Sequence, residues 1–469
     1  MQLIKRLLNF ELRHVLTIGG LDPTTGAGVY ADIKTLSMIK TLPLAVTSCL
    51  IIENTQGVKE IVPLEPNHVE NQLKCVLDDC TPDAVKVSLI YNEEIASIIV
   101  DLLPKNTRLV LDPILKSWDG HDLITPSGLK ALKDLLIPRA SILTPNAMEA
   151  ETLSGIKVKD LDSAREAAKR LRDMGAKCVI IKGGHIPSND YSIDLLYYED
   201  EVHVAKKPRI KDRVFHGLGC VLTSALTGFL SHNLNVKEAF ELASLFVEYA
   251  MKSSYNLRGK ATLVNPLELY YKSLDVVHVL ENMYEAIALI ESIKGMEEIT
   301  PEVGVNIAMC LRSPMTLDDI CGIEGRLRPI RGYLRAQGLI KFGGSKHLGN
   351  MLLEVNRRWP SIRACANIKY SNEIVEIMKS LGFTIASFDR SKEPQHIKSI
   401  EGMSMKWGAQ EAIRNLISKP DAVYDLGDVG KEPMIRIFGK DAIEVVEKLR
   451  LISLKLKELK KTSGSKNSS

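Results

Sequence analysis

The sequence lacks the features that mark membrane, secreted and zinc-binding proteins. No apolar run approaches the ~20 residues that a helix needs to cross a bilayer. The N-terminal stretch MQLIKRLLNFELRH carries charges and no small-residue cleavage site, so we do not interpret it as a signal peptide. None of the eight cysteines has CxxC spacing, which argues against zinc sites and disulfide frameworks. We therefore expect a cytoplasmic protein that does not contact a membrane.

An excess of charge of one sign is also missing. The 61 basic residues nearly balance the 58 acidic ones, and the net charge is +3. This balance argues against a broad nucleic-acid surface and leaves room for local basic pockets that bind phosphates. We therefore expect small-molecule partners and no nucleic acid.

Length and composition indicate more than one folded domain. The 469 residues exceed one ordinary core, and 45% apolar and 25% charged residues are typical of a folded protein. We also expect a homo-oligomer. The pattern divides the chain into an N-terminal extension (1–12), a first domain (13–265), a linker with a connecting helix (266–295), a second domain (296–455) and a disordered polar tail (456–469).

Short apolar segments alternate with amphipathic helical patterns in the first domain. This alternation predicts an α/β fold with a doubly wound, mostly parallel sheet. In such sheets ligands bind at the carboxyl ends of the strands, so the turns that follow the strands are the candidate sites. The predicted buried strands cover residues 15–19, 45–52, 84–89, 108–112 and 178–182.

Two glycine-rich turns precede helices in this domain. The first, IGGLDPTTGAG (18–28), contains Gly20 and Asp22, and its small residues let backbone N–H groups approach a ligand. The second, HGLGC (216–220), places the amides of Gly217, Leu218 and Gly219 at a helix start. These amides are expected to form an anion hole for a phosphoryl group in transfer. A plain tight turn is the alternative for the first.

Cys220 stands at the start of the helix that follows the second turn. The helix macrodipole lowers the pKa of a thiol at this position, so Cys220 is a candidate general base. The alternative is an inert buried cysteine. We expect the other seven cysteines to be small core residues: Cys49, Cys75, Cys80, Cys178, Cys310, Cys321 and Cys365.

The segment TPNAMEAETL (144–153) contains Asn146 and Glu149, three residues apart. Residues at this spacing share a helix face, so the amide and the carboxylate can order Mg²⁺ and its waters beside ATP phosphates. The alternative is that Glu149 is an ordinary first-turn helix acid.

These segments, in their order, resemble the hydroxymethylpyrimidine/phosphomethylpyrimidine kinases of the ribokinase-like superfamily. The matching stretches are residues 18–35, 53–58, 85–86, 111–113, 143–149, 182–185 and 216–220. The resemblance implies use of ATP and Mg²⁺, a phosphate-facing Lys182, and Cys220 as the base. It also implies that Glu53 binds the aminopyrimidine ring, since a carboxyl can pair with the ring nitrogen and the exocyclic amine. Pyridoxal kinase, which shares the fold, is the alternative.

The second domain carries further candidate phosphate-binding turns. Gly343 and Ser345 lie in a Gly/Ser turn that enters an amphipathic helix, and Lys431 lies in a charged turn between apolar strands. Residues 316–340 also have the leucine and isoleucine spacing of a DNA-binding helix-turn-helix. Glycines and a proline fall badly there for a recognition helix, which argues against DNA binding.

This half resembles the archaeal-type thiamine-phosphate synthase domain. The landmarks are residues 301–307, 325–326, 342–347, 362–370, 388–390, 405–408 and 425–436. The resemblance implies a second, smaller α/β domain that joins hydroxymethylpyrimidine diphosphate to thiazole phosphate. Arg326 and His347 match its active-site positions, and Asn367 is expected to bind substrate. The alternative is a domain that senses thiamine phosphate without catalysis.

Overall fold

The computed structural model describes residues 2–185, 191–210, 212–398, 403–428 and 430–466. The chain divides into two compact units, the first ending at Tyr270 and the second beginning at Tyr271. Within the described ranges, no helix has both the length and the apolar character that a bilayer crossing requires.

The first unit contains a nine-stranded sheet with the order β3-β2-β1-β4-β5-β6-β7-β8-β9. Its strands are β1 (Arg13–Leu21), β2 (Thr41–Asn54), β3 (Gly57–Pro63), β4 (Ala84–Val87), β5 (Leu109–Leu111), β6 (Ile142–Leu143), β7 (Val179–Ile181), β8 (Tyr191–Tyr198) and β9 (Glu201–Pro208). Strands β1, β2 and β4 to β7 pair in parallel, and antiparallel pairs close both edges. The predicted doubly wound, mostly parallel sheet is confirmed.

A small three-stranded sheet and nine α-helices complete the described part of this unit, and a tenth helix begins at its end and continues into the second unit. The strands are β10 (Val214–His216), β11 (Tyr255–Asn256) and β12 (Ala261–Leu263). The helices are α1 (Gln2–Leu8), α2 (Gly28–Met38), α3 (Pro66–Asp79), α4 (Glu93–Leu102), α5 (Pro126–Ala131), α6 (Ala147–Ser154), α7 (Leu161–Asp173), α8 (Leu218–Ser231), α9 (Val236–Lys252) and α10 (Glu268–Ser292). Helices cover both faces of the sheet, which explains why its central strands read as continuous apolar runs.

The second unit is built on a seven-stranded mixed sheet with the order β17-β14-β13-β18-β21-β20-β19. Its strands are β13 (Ile307–Cys310), β14 (Ile320–Ile323), β17 (Ile340–Phe342), β18 (Ala364–Lys369), β19 (Ile385–Ser387), β20 (Ala422–Asp425) and β21 (Met434–Gly439), and β15 (Arg326–Ile330) and β16 (Tyr333–Gln337) form a separate hairpin. The helices are α11 (Lys346–Arg358), α12 (Asn372–Ser380), α13 (Gln395–Lys398), α14 (Met403–Ile413) and α15 (Ala442–Lys466). The predicted second α/β domain is confirmed.

Each face of this second sheet is covered by helices. One core joins buried residues of α10 and α15, such as Met283, Ile290 and Leu449, to the strands. The other core contains Met351 of α11 and Met405 of α14. The sheet is therefore a middle layer that holds the strand-end turns in place.

The helix-turn-helix alternative for residues 316–340 is wrong. This segment forms β14, the β15–β16 hairpin and β17. Ile330 pairs with Tyr333, and the turn residues Arg331 and Gly332 have φ values of 52° and 84°. Two residues with positive φ make the tight turn that hairpins favour, and glycine accepts this conformation without strain.

Two further expectations are corrected. The predicted disordered tail is helical from 456 to 466 as the end of α15, whose buried face, with Leu449 and Ile452, extends as far as Leu456. Residues 467–469 lie outside the described residues. Cys75 is exposed and Cys80 is partly exposed near the end of α3, whereas the other five predicted core cysteines are buried.

Candidate functional site

The carboxyl ends of the parallel strands open into a cavity of about 1180 Å³. Among the charged side chains that line it, four lie just after or at the end of a strand of this edge: Asp22 after β1, Glu53 in β2, Asp112 after β5 and Lys182 after β7. This is the edge at which doubly wound sheets bind their ligands.

Asp22 organises the first glycine-rich turn. Its carboxylate accepts hydrogen bonds from the N–H of Thr24 at 2.7 Å and from the N–H of Ala27 at 2.8 Å. Gly28 has φ 59°, and a Cβ there would clash with the carbonyl oxygen of Gly20. The turn therefore requires glycine at position 28 and holds Asp22 at the cavity wall.

The second glycine-rich turn lies directly against the first. Gly217 has φ 89°, and a Cβ there would overlap the carbonyl oxygen of Gly26. Next to it, Nε2 of His216 lies 3.0 Å from Oδ2 of Asp22. Burial alone would raise the pKa of Asp22, but hydrogen bonding to His216 and Thr24 lowers it below its usual value. The two turns form one wall of the cavity.

Glu53 occupies an apolar part of the cavity that we call the Glu53 subsite. The subsite is lined by Ile51, Val58, Leu89, Trp118 and Leu123, together with Glu53 and His216. Burial and the neighbouring charge of Asp22 raise the pKa of Glu53 to about 7, against the opposing effect of His216. A flat aromatic ring with a polar edge fits such surroundings.

The ligating atoms of Asp22, Glu53 and His216 lie within 4.8 Å of one another, a spacing that could hold a metal ion. The Asp22 oxygens already accept hydrogen bonds from Thr24 and Ala27, which leaves them little capacity for a cation. We therefore interpret the group as part of the Glu53 subsite.

Lys182 faces the predicted anion hole at the N-terminus of α8. Its Nζ lies 2.5 Å from Oδ1 of Asp112 and 3.9 Å from Oε2 of Glu149. A Cβ on Gly219 would lie 3.2 Å from the same Nζ. Burial disfavours the charge, but Asp112 and Glu149 outweigh it and raise the pKa of Lys182. The lysine is therefore an ammonium ion beside the amides of residues 217–219.

Asn146 and Glu149 form a capping box at the start of α6. The N–H of Asn146 donates to Glu149 Oε2 at 2.7 Å, and the N–H of Glu149 donates to Asn146 Oδ1 at 2.9 Å. Burial raises the pKa of Glu149 to about 7, although Lys182 opposes this. The structure thus places the pair in the capping arrangement, with the Glu149 carboxyl on the cavity beside Asp112.

Cys220 is buried in the first turn of α8, and the expected lowering of its pKa is wrong. Burial raises the pKa of the thiol to about 11, even though the Lys86 charge acts in the other direction. Loss of solvation at a buried position outweighs the helix dipole. Lys86, which is fully buried, forms an ion pair with Asp32 and donates to Ser224 Oγ at 3.1 Å beneath this turn.

Arg326 begins β15 in the second unit. Its guanidinium is partly buried and donates to the carbonyl of Gly325 at 3.0 Å. Burial, with the nearby charge of Arg328, lowers its pKa. A partly buried guanidinium beside a second cation is a suitable partner for an anion.

The remaining predicted residues of this unit lie on several elements. Ser345 packs over Gly322, where an added Cβ would lie 2.8 Å from its Cβ, and His347 is exposed in the first turn of α11. Gly343 has φ 80° in the preceding turn. Lys431 Nζ lies 3.9 Å from Oε2 of Glu393.

Asn367 has a structural environment that the sequence did not indicate. Its Oδ1 accepts from the N–H of Asn306 at 2.7 Å, and its Nδ2 donates to the carbonyl of Gly304 at 3.0 Å. The amide therefore connects the loop before β13 to β18, close to where β15 begins.

A charged group that sequence reasoning missed lies beside the turn after β20. Asp425 accepts from Nε of Arg390 at 2.6 Å and also pairs with Nη1 of Arg436. Burial alone would raise the pKa of Asp425, but the two guanidinium groups lower it. Two buried cations share one carboxylate, which leaves positive charge for an anion. Asp425 and both arginines lie in the landmark stretches 388–390 and 425–436, where sequence reasoning assigned them no role.

In the first unit, sequence reasoning missed Asp112, His216 and Trp118. Asp112 and His216 occur in the LDP and HGLGC motifs, and their position at strand ends was a usable signal. Trp118 lies in a loop without a motif, so no pattern indicated it.

Comparison with known proteins accounts for both units. The family described as phosphomethylpyrimidine kinase matches residues 22–265, and thiamine-phosphate synthase ThiN matches residues 282–451. The chain is 30% identical over 444 residues to the bifunctional thiamine biosynthesis protein ThiDN of Methanocaldococcus jannaschii, covering 93% of this chain and 98% of that protein.

Shorter relatives and solved structures match the first unit. The hydroxymethylpyrimidine/phosphomethylpyrimidine kinase of Aquifex aeolicus is 37% identical over 245 residues, 52% of this chain and 95% of that protein. The pyridoxal kinase of Staphylococcus aureus in complex with pyridoxal superposes with a TM-score of 0.51 at 30% identity, covering 54% of this chain and 93% of that one.

Proposed function

Because the chain belongs to the family of bifunctional thiamine biosynthesis proteins that join a phosphomethylpyrimidine kinase to a ThiN thiamine-phosphate synthase, we propose that it performs both reactions. The first unit transfers the γ-phosphoryl group of ATP to hydroxymethylpyrimidine and then to its monophosphate. The second unit couples the diphosphate with hydroxyethylthiazole phosphate, giving thiamine phosphate and diphosphate.

One observation supports the kinase reaction most strongly. The Glu53 subsite and the anion hole with Lys182 belong to one cavity, so a ring bound at Glu53 can present its hydroxymethyl group to a phosphoryl donor. A 4-aminopyrimidine edge offers one acceptor nitrogen and one N–H donor, and its complement is a carboxyl group that carries a proton. A Glu53 pKa of about 7 makes this form available near neutrality.

The transfer step then assigns roles to the surrounding groups. The substrate hydroxyl oxygen attacks the γ-phosphorus, and the bond to the bridging oxygen of ADP breaks. Lys182 and the amides of residues 217–219 stabilise the charge on the phosphoryl oxygens. The Cys220 thiol, whose pKa is raised, first releases its own proton to water, and the resulting thiolate then takes the hydroxyl proton.

Mg²⁺ is a prediction that the donor set fits. Glu149 and Asp112 present carboxyl groups to the cavity beside Lys182 and would hold the ion through water, with Asn146 orienting Glu149. Bound there, Mg²⁺ would neutralise phosphate charge during transfer. The homo-oligomer and the cytoplasmic location also stay predictions.

In the synthase reaction the bond between the pyrimidine methylene carbon and the diphosphate breaks, and the thiazole nitrogen bonds to that carbon. The departing group is an anion, so Arg326 is proposed to stabilise it, with His347 donating a hydrogen bond. Gly343, Ser345 and Lys431 are proposed phosphate contacts. Asn367 is reassigned from substrate binding to positioning of the loop before β13, on the basis of its hydrogen bonds.

Pyridoxal phosphorylation is the second candidate, because the matching solved structures include pyridoxal kinases. A competition assay separates the two activities. Purified protein receives ATP, Mg²⁺ and equal amounts of hydroxymethylpyrimidine and pyridoxal, and both products are quantified. We expect the pyrimidine to be phosphorylated first. Preferential phosphorylation of pyridoxal would overturn the substrate assignment.

A further inference from the structure

Trp118 lies in a short loop between β5 and α5 that borders the Glu53 subsite. The loop closes on itself, because the N–H of Ser117 donates to the carbonyl of His121 and the N–H of Leu123 donates to that of Leu115, both at 2.9 Å. Trp118 is partly buried at its tip and lines the cavity. The loop is therefore an ordered part of the wall.

A hydrogen bond fixes this loop against the strand pair that carries Glu53. Oδ2 of Asp119 accepts from the N–H of Val58 at 2.9 Å. Gly57 makes this approach possible, since a Cβ there would clash with the same carboxylate. The positions of Trp118 and Glu53 are thus coupled.

The indole itself carries an unsatisfied donor. Nε1 of Trp118 is buried and has no hydrogen-bond partner among the described residues. Burial raises the pKa of the Glu53 carboxyl, and the Trp118 N–H, which is directed at that carboxyl without completing a hydrogen bond of good geometry, acts to lower it. The indole ring lies 6.1 Å from the His216 ring, centroid to centroid. Buried donors are normally paired, so a ligand is expected to supply the acceptor.

We propose that Trp118 is a specificity-determining residue of the aminopyrimidine subsite, an inference that rests on the proposed kinase function. The pyrimidine ring has two acceptor nitrogens. Glu53 pairs with the amine and the nitrogen adjacent to it, and in the complex the Trp118 N–H donates to the other nitrogen instead of acting on the Glu53 carboxyl. A pyridine ring has one nitrogen, so with Glu53 on that atom the indole N–H stays unpaired. Trp118 therefore selects pyrimidines over pyridoxal.

Two variants separate the roles of the N–H group and of the ring. Trp118→Phe removes the donor and keeps an aromatic surface, and Trp118→Leu removes both. For Trp118→Phe we expect KM for hydroxymethylpyrimidine to rise roughly tenfold, with kcat and KM for ATP unchanged. The preference for the pyrimidine over pyridoxal should shrink by the same factor. In Trp118→Leu, KM for hydroxymethylpyrimidine should rise further and the preference should shrink further. Trp359→Phe, in the second unit, is the matched control and should change none of these values.

A binding measurement without catalysis complements the kinetics. The other two tryptophans, Trp359 and Trp407, belong to the second unit, so hydroxymethylpyrimidine should change the fluorescence of Trp118. The change should vanish in Trp118→Phe and persist in Trp359→Phe. An analogue with carbon in place of the ring nitrogen remote from the amine should bind the wild type roughly tenfold more weakly, which tests the hydrogen bond even if a variant fails to fold.

The outcomes separate this inference from the function on which it rests. Equal KM and equal substrate preference in Trp118→Phe, or equal binding of the analogue, overturn the inference while leaving the kinase assignment intact. A wild-type protein that neither binds nor phosphorylates hydroxymethylpyrimidine overturns the kinase assignment itself.

Discussion

Nε2 of His216 lies 3.0 Å from Oδ2 of Asp22, although the two residues are 194 positions apart. This hydrogen bond joins the turn after β1 to the turn before α8. The first turn borders the Glu53 subsite, and the second is the proposed anion hole. The two turns therefore form one wall of the cavity, and under the proposed function this wall holds acceptor recognition and phosphoryl transfer together, as transfer between two bound substrates requires.

The pH dependence of pyrimidine binding should report on Glu53. Its pKa is raised to about 7, so the protonated form is abundant below pH 7 and declines above it. Because this form complements the aminopyrimidine edge, KM for hydroxymethylpyrimidine should rise with pH above about 7, approaching tenfold per unit. Glu53→Gln keeps one donor and one acceptor, and its KM should not depend on pH in this range.

Glu53→Leu tests the same contacts by removing both of them. Loss of both polar contacts should weaken pyrimidine binding by roughly 10- to 100-fold and leave KM for ATP unchanged. A wild-type KM that is flat between pH 6 and pH 9 would remove the proton on Glu53 from recognition.

The two phosphorylation steps should respond differently to Cys220→Ala. The first acceptor is a neutral hydroxyl that must lose a proton, whereas the second is a phosphate monoester that is already anionic. Loss of a general base should slow the first step by about 10²- to 10⁴-fold and the second much less. The variant keeps the backbone amides of the proposed anion hole. The ratio of the two phosphorylation rates does not depend on how much active protein is recovered.

The raised pKa of Cys220 also predicts the direction in which kcat of the first step changes with pH. With a pKa of about 11, the thiolate fraction grows tenfold per unit between pH 7 and pH 9, so kcat of the first step should climb with pH. Cys220→Ala should abolish that slope. An equal fall of both steps in the variant would mean that Cys220 shapes the turn and takes no proton.

Sequence reasoning predicted the architecture of the first unit well because parallel strands and glycine turns leave local signatures. The strands at 15–19 and 178–182, and the turns at Asp22 and Gly217, needed only apolar runs and glycines. Sequence reasoning failed for properties that depend on the surrounding tertiary structure. The Cys220 pKa depends on burial, and the Trp118 position depends on a loop held by Asp119.

The second unit was harder for a related reason. Residues 316–340 combine helix-like leucine spacing with the glycines of hairpins. The segment forms strands because β14 pairs with β13 and with β17, and β15 pairs with β16. The shared partner of Arg390 and Arg436, Asp425, is brought to them by the sheet and by no local pattern.

Arg326→Ala and His347→Ala should each lower the rate of thiamine phosphate formation from the preformed diphosphate by about 10²-fold or more. Each removes a donor that stabilises the departing diphosphate. Kinase turnover in the same proteins is the internal control and should be unchanged. Wild-type synthase rates in both variants would remove these residues from the mechanism.

The two units should function separately when the chain is cut between Tyr270 and Tyr271. A fragment of residues 271–469 should keep synthase activity, and residues 1–270 should keep kinase activity. A fragment that starts at residue 276 should be less stable by about 3–5 kcal/mol, because it lacks Lys272, the fully buried partner of Asp319 at 2.9 Å. Thermal unfolding of the two second-unit fragments measures this difference, and equal midpoints would contradict it.

The most direct measurement incubates the purified chain with hydroxymethylpyrimidine, ATP, Mg²⁺ and hydroxyethylthiazole phosphate, and follows all products over time. A bifunctional enzyme predicts transient pyrimidine monophosphate and diphosphate, followed by thiamine phosphate and free diphosphate in equal amounts. If pyrimidine diphosphate accumulates and no thiamine phosphate forms, the second unit is a sensor rather than a synthase, and the account is contradicted.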